Sequence, residues 1–233
     1  MDYRELAGNS VSLLGYGCMR FPTNEAGEID EPRAEKLLLR AYEQGVNYFD
    51  TAWPYHSGKS EPFVGKVLSK LGRDSFYIAA KLPVWTIESL DHAKEVFNTQ
   101  LEHLQTDHVD YYLLHSLDEA KWQKVLDLGI LPFLEEQQRL GRIKKLGFSF
   151  HAPYGVFKRI IDYRNWDFCQ IQFNYMDTEH QAGRRKQGRW HCCNGTRKGR
   201  HACRSPLICF RSAHCGRSRQ IHGFLGAALR CRF

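Results

Sequence analysis

Along most of the chain, short apolar runs alternate with stretches in which apolar residues recur every three or four positions. The first pattern predicts buried strands and the second predicts amphipathic helices. Tyr3–Leu6 and Val11–Leu14 flank Gly8-Asn9 and read as a small hairpin, and Leu13–Gly17 is a short apolar segment after it. Pro32 suits a first helical turn, Leu37, Leu38, Ala41 and Tyr42 share one face, and Gly45 suits the C-terminal cap. Further strands are predicted at Val46–Thr51, Phe76–Leu82, Val109–His115, Lys144–Phe150 and Phe168–Tyr175. Helices are predicted between them, over about Glu61–Leu71, Leu90–Leu104, Ile130–Leu140 and Gly155–Tyr163.

Near-continuous apolar strands separated by helices imply a parallel sheet covered on both faces. About six such βα units favour an α/β fold of the (β/α)8 TIM-barrel type, here incomplete, over an open doubly wound sheet. The dinucleotide fingerprint of the open alternative is absent after the first strand, where Gly15-Tyr16-Gly17 supplies only a two-glycine fragment.

Composition changes this picture only toward the C-terminus. The 233 residues are 42% hydrophobic and 25% charged, which suits one sizeable core. No apolar run approaches the roughly 20 residues of a membrane span, and Met1–Glu5 lacks the basic start of a signal peptide. A cytoplasmic protein without membrane association is expected. The net charge of +7 is unevenly placed: no acidic residue follows Glu179, and residues 184–233 hold 11 Arg, 2 Lys and six of the eight cysteines. The chain therefore divides into a mildly acidic barrel segment, residues 1–183, and a basic, Cys- and Arg-rich tail, residues 184–233.

In a parallel barrel the reactive groups gather at the C-terminal ends of the strands, where the βα loops lie. Reading those ends in order gives Asp50, then Tyr55 in the following loop, then Lys81, then His115. Ionisable residues closing consecutive apolar strands are poor core-packing material. Their chemistry suits carbonyl reduction, which needs a proton on the developing alkoxide. A neighbouring ammonium favours a phenolate, so Lys81 is expected to lower the pKa of Tyr55. Asp50 would hold Lys81 charged, and His115 would donate a hydrogen bond to the carbonyl oxygen.

The segments NYFDTAWPYHSGKSE (Asn47–Glu61), FYIAAKLP around Lys81 and VDYYLLHS around His115 closely resemble the aldo-keto reductases. They look most like the bacterial branch that often carries a ferredoxin-like extension. The resemblance covers about Leu6–Asp177. It implies that Asp50, Tyr55, Lys81 and His115 form the family's catalytic tetrad, with Tyr55 as proton donor. It further implies NADPH as cofactor, an aldehyde or ketone as substrate, and no metal. Ser149 and Gln170 match positions that hold the nicotinamide carboxamide, although Phe150 stands where many members have Asn. The strand-seven aromatic and the 2′-phosphate site of the family have no counterpart here.

Other residues are more ambiguous. His56 and His151 flank the expected pocket and read as substrate contacts or solvated loop residues. Cys18, Met19, Trp53 and Trp85 read as cleft lining or as packing, and His103 and His108 as surface residues. The tail lacks the cysteine spacing of iron–sulfur or zinc sites. It is also rich in Cys for a nucleic-acid arm, so no specific nucleic-acid partner is expected. Rereading the codons of Trp190–Thr196 one base later permits GIAVMEP, which resembles the family's seventh strand, and Phe224–Phe233 permits SWALRF. A one-base frameshift near Arg184 is the expectation, leaving the tail out of frame and disordered and the truncated chain inactive. Strands one and six would then be open edges. The competing function is a non-catalytic binding subunit of the same fold, which would not need Tyr55 or Lys81.

Overall fold

The computed structural model describes residues 1–171 together with the backbone of residues 209–211. Two short strands, β1 (Tyr3–Leu6) and β2 (Asn9–Ser12), form an antiparallel hairpin. The turn lies at Ala7-Gly8, both with positive φ (50° and 90°), so β2 begins two residues earlier than the apolar pattern suggested. Six parallel strands follow: β3 (Leu14–Gly17), β4 (Tyr48–Asp50), β5 (Tyr77–Leu82), β6 (Val109–Leu117), β7 (Ile143–Phe150) and β8 (Phe168–Ile171). Helices α1 (Glu31–Glu43), α2 (Ser60–Leu68), α3 (Leu90–His103), α4 (Glu119–Asp127), α5 (Ile130–Arg139) and α6 (Tyr154–Tyr163) connect them.

The six strands pair in chain order without a reversal. An open doubly wound sheet changes direction at a switch point, whereas a barrel wall advances monotonically. Among the described residues the strand order is therefore that of the expected (β/α)8 architecture, with six of its strands in sequence. A ninth strand, β9 (Cys209–Arg211), runs parallel beside β3 and pairs Leu14 with Cys209. The edge of the first barrel strand, expected to lie open, is thus covered over Leu14–Tyr16. The remainder of the tail, with the rereadings at 190–196 and 224–233, lies outside the described residues.

Helix boundaries follow local chemistry. The Asp30 carboxylate accepts the Arg33 N–H at 3.3 Å to cap α1, and Pro32 sits in its first turn. The Ser89 hydroxyl accepts from His92 N–H at 3.1 Å at the start of α3. Helix α4 was not anticipated from the sequence. Asp118 caps it through Lys121 N–H at 2.8 Å, and it buries only Trp122 and Val125, too short a stripe for the period to stand out.

Alternation along the strands divides the core in two. Phe49, Ile78, Ala80, Leu82, Tyr112, Leu114, Leu146, Phe148 and Phe150 join the large cluster packed under the helices. The opposite face carries a small cluster of Tyr48, Ala79, Tyr111, Leu113 and Phe168, closed by Leu6 and Val11 of the hairpin. The Tyr111 hydroxyl donates to the Leu6 carbonyl at 3.0 Å and accepts from Asn9 at the same distance. The hairpin therefore plugs the N-terminal end of the inner face. Continuing the inward parity toward the strand ends leads from Tyr48 to Asp50, from Ala79 to Lys81, from Leu113 to His115, and from Phe168 to Gln170.

Candidate active site

Parity and parallel register place the polar strand ends on one rim. Asp50 is opposite Ala79 on β5, Lys81 is opposite Leu113 on β6, and Ser149 is opposite Gln170 on β8. Lys81 is 1% exposed and Asp50 5% exposed, so this is a buried ion pair rather than a solvated one. The Lys81 ammonium donates to the Asp50 carboxylate, to the Thr51 carbonyl at 2.9 Å and to the Tyr55 hydroxyl at 3.4 Å. The other Asp50 oxygen accepts from the Gln170 amide at 3.1 Å. Three acceptors around the ammonium and two donors to the carboxylate are what make their burial tolerable.

Tyr55 opens a kinked turn, Tyr55–Gly58, in the loop that follows β4. Its ring lies 6.0 Å from that of His115, edge to face, and the Lys81 nitrogen is 5.1 Å from the Tyr55 ring centre. The His115 backbone precedes an irregularity in β6, where Ser116 has φ 54° and its N–H is held by the Ser149 hydroxyl oxygen at 2.7 Å. The His115 Nδ1 is buried and has no hydrogen-bond partner among the described residues. The Trp85 ring, 41% exposed, lies 5.0 Å from that of His115 at a tilt of 56°.

The electrostatics correct one expectation. Burial raises the Tyr55 pKa, and the opposing pull of the Lys81 ammonium does not bring it below the ordinary value of 10.0. The expected ammonium effect operates in the expected direction, but desolvation of the phenol outweighs it. For Lys81, burial acts downward while the Asp50 carboxylate and Tyr55 act upward, and the net shift is upward from 10.5. The ammonium is therefore kept charged. Burial, reinforced by the positive charge of Lys81, pushes the His115 imidazole down to about 3. At neutral pH it is an uncharged ring, able to donate from one nitrogen only.

The remaining candidates separate. Cys18 is fully buried in the helix-side core, its N–H bonded to the Asp50 carbonyl at 2.8 Å, so it packs rather than lines a cleft. Met19 and His151 are exposed, and His56 is tied to the backbone of Phe21. Trp53 stacks on His103 at 5.8 Å and packs against the helix-side core. His103 and His108, expected at the surface, are both partly buried. His103 lies 3.8 Å from the Glu61 carboxylate, and His108 bonds to Asp107 at 2.6 Å.

One network was not foreseen. Glu61, 1% exposed on α2, accepts from the Gln100 amide at 2.6 Å, and the same nitrogen reaches the Lys81 carbonyl at 3.1 Å. The Tyr112 hydroxyl completes the chain by donating to Gln100. A carboxylate inside an otherwise apolar helix face was the available signal for it.

A wall of consecutive parallel strands with its ion pair, phenol and imidazole on the C-terminal rim defines a parallel βα-barrel protein with a candidate site at that rim. Residues 13–191 match the model described as the aldo/keto reductase family, and the chain belongs to that family. The match ends shortly after the compositional break near residue 183. An aldo-keto reductase of Gibberella moniliformis is 27% identical over 189 residues, covering 78% of this chain and 55% of that protein. The aldo-keto reductase YhdN of Bacillus subtilis is 29% identical over 183 residues, covering 68% and 55%. The chain spans about half the length of the curated relatives it matches. Among solved structures, the holo form of aldo-keto reductase AKR11C1 from Bacillus halodurans superposes with a TM-score of 0.62 at 32% identity. That superposition covers 74% of this chain and 58% of that one. The thermostable aldo-keto reductase Tm1743, in complex with epalrestat, superposes with a TM-score of 0.59 at 23% identity over 76% and 64%, which speaks to the fold alone. No helix among the described residues is long and apolar enough to cross a membrane.

Proposed function

We propose that this chain carries the proton-transfer half of an NADPH-dependent reductase of small aldehydes or ketones. The observation that carries the reading is the buried Asp50–Lys81 pair with the Tyr55 hydroxyl 3.4 Å from its ammonium. A non-catalytic binding role would leave that desolvated pair without a purpose. Bound NADPH would supply the hydride that adds to the carbonyl carbon. The Tyr55 hydroxyl would then give its proton to the carbonyl oxygen, and the Lys81 ammonium would stabilise the phenolate left behind. Asp50 fixes the ammonium and balances its charge. Neutral His115, through an N–H, would hold the carbonyl oxygen and share its developing negative charge.

The residues present fit the nicotinamide end of the cofactor. Ser149 and Gln170 sit side by side on paired strands, and the Ser149 oxygen already accepts from Ser116, so its own proton is a donor. A hydroxyl beside a side-chain amide suits a carboxamide, which both donates and accepts. Trp85 beside His115 offers an apolar wall for the substrate. The position of Phe150, buried under the helices, removes it from this set.

The basic tail from residue 184 is, on this reading, the product of a one-base frameshift that displaces the last barrel strands. Resequencing the gene or weighing the tail's tryptic peptides tests that directly, and an in-frame tail would end it. The function is tested by following NADPH fluorescence on titration and NADPH oxidation with a carbonyl panel. Both are measured for the chain as it stands and with the frame restored. Turnover of at least one aldehyde or ketone by the restored chain is expected. Absence of both binding and turnover in the restored chain would overturn the proposal.

A further inference from the structure

We propose that His56 is a proton-operated clasp: its neutral ring holds the loop after β3 against the turn carrying Tyr55 and releases it on protonation. The Phe21 backbone N–H donates to His56 Nε2 at 3.0 Å. An Nε2 that accepts must carry a lone pair, so the ring is neutral and its proton is on Nδ1. Phe21 is buried, and its ring lies 5.5 Å from the His56 ring and packs edge-on against Phe63 of α2 at 4.9 Å. The clasp thus anchors in the core rather than on a mobile tip.

The backbone needs such a tie. His56 (φ 51°, ψ 45°) and Ser57 (φ 53°, ψ 39°) both adopt the left-handed conformation, and Gly58 follows at φ 84°. Two consecutive non-glycine residues in that region are strained and persist only where surrounding contacts over-determine them. The β3–α1 loop is itself laced to the ion pair. Cys18 N–H donates to the Asp50 carbonyl at 2.8 Å, and the Ser60 hydroxyl donates to the Cys18 carbonyl at 3.0 Å. His56 is the next residue after Tyr55, so opening the clasp frees the turn that sets the Tyr55–Lys81 separation.

Protonation turns Nε2 into a donor facing another donor, which abolishes the bond. The charged neighbours are Arg20 on the β3–α1 loop and Lys59 on the same turn, with Tyr55 the adjacent titratable group; α2 presents the apolar Phe63. Burial and then the Arg20 charge lower the His56 pKa from 6.5, so the clasp is closed at neutral pH and opens below that value. The consequence for catalysis rests on Tyr55 being the acid; the clasp itself does not.

The test is made on the chain itself by NMR. The nitrogen shifts of His56 should report an Nδ1–H tautomer at pH 7.5. The exchange protection of the Phe21 amide, relative to its intrinsic rate, should fall about five- to tenfold between pH 7.5 and 5, the equivalent of one lost hydrogen bond. The Leu113 amide in β6 serves as an internal control and should not follow it. His56→Gln, which accepts without titrating, should keep Phe21 protected at both pH values, and His56→Ala should leave it weakly protected at both. An Nε2–H tautomer, pH-independent protection in the native chain, or full protection in His56→Ala would overturn the clasp. In turnover assays of the frame-restored chain, an acid limb present in the native protein and absent in His56→Gln is expected. Lack of turnover in both would count against the proposed function while leaving the exchange result standing.

Discussion

Replacing Lys81 with Met should be among the most damaging single changes in the barrel wall. Lys81 and Asp50 are 1% and 5% exposed, so water does not screen the pair. The ammonium has three acceptors, and once it is gone the Asp50 carboxylate keeps only the Gln170 amide at 3.1 Å among its described side-chain partners. Two charges about 4 Å apart at an effective dielectric of about 20 attract by about 4 kcal/mol, and breaking one side of a buried pair typically costs about 3–5 kcal/mol. Met fills most of the vacated volume, so the lower end, about 3 kcal/mol, is expected. With a urea m-value of about 2 kcal/mol/M, that lowers the unfolding midpoint by about 1.5 M. The assay is urea unfolding of the native chain, Lys81→Met, Asp50→Asn and the double variant. The double variant should be more stable than the sum of the single losses by about 1.5–3 kcal/mol, because it leaves neither charge orphaned. A Lys81→Met loss below about 1 kcal/mol, or strict additivity, would refute the buried pair.

Three further outcomes rest on the charges and packing of the same wall. Lys81 has a raised pKa, so the pair's contribution to stability is complete below pH 10.5 and fades as pH rises through the raised value; the native chain should lose stability there and Lys81→Met should not. His115 titrates near 3 when folded but near 6.5 when unfolded, so stability should fall as pH drops from 6.5 toward 3, and His115→Gln should flatten that slope in urea melts at pH 7 and 5. A Cβ at Gly147 would lie 2.6 Å from the Phe168 carbonyl oxygen and 2.7 Å from its ring, so Gly147→Ala should cost about 1–3 kcal/mol by urea unfolding. Because β8 also carries Gln170, the same change should weaken NADPH binding, and unchanged stability would show that β7 and β8 do not meet as described.

Much of this was legible because parallel strands buried on both faces are nearly all apolar, so a lone ionisable residue at the end of each stands out. Asp50, Lys81 and His115 were found that way, and parity along the strands explains why they share a rim. Tyr55 was reached as an ionisable residue of the loop after the Asp50 strand and through the resemblance carried by its segment. The features that escaped depend on distances in space. Nothing in the local sequence says that the phenol would be buried enough to reverse the expected pKa shift. Nor does it say that His56 would meet the Phe21 backbone, 35 residues away. Helix α4 escaped because two buried residues make too short a stripe, and β9 because three residues of tail carry no periodic signal.

On the proposed function Tyr55, beside a buried ammonium, is the acid. The most direct measurement is carbonyl reduction by NADPH in H2O and D2O, with native and Tyr55→Phe versions of the frame-restored chain. A solvent isotope effect in the native protein is expected, together with a loss of about 100-fold or more in kcat for Tyr55→Phe, the usual worth of a positioned acid. A Tyr55→Phe variant that turns over within about threefold of native, far inside that range, and keeps the solvent isotope effect, would contradict the account.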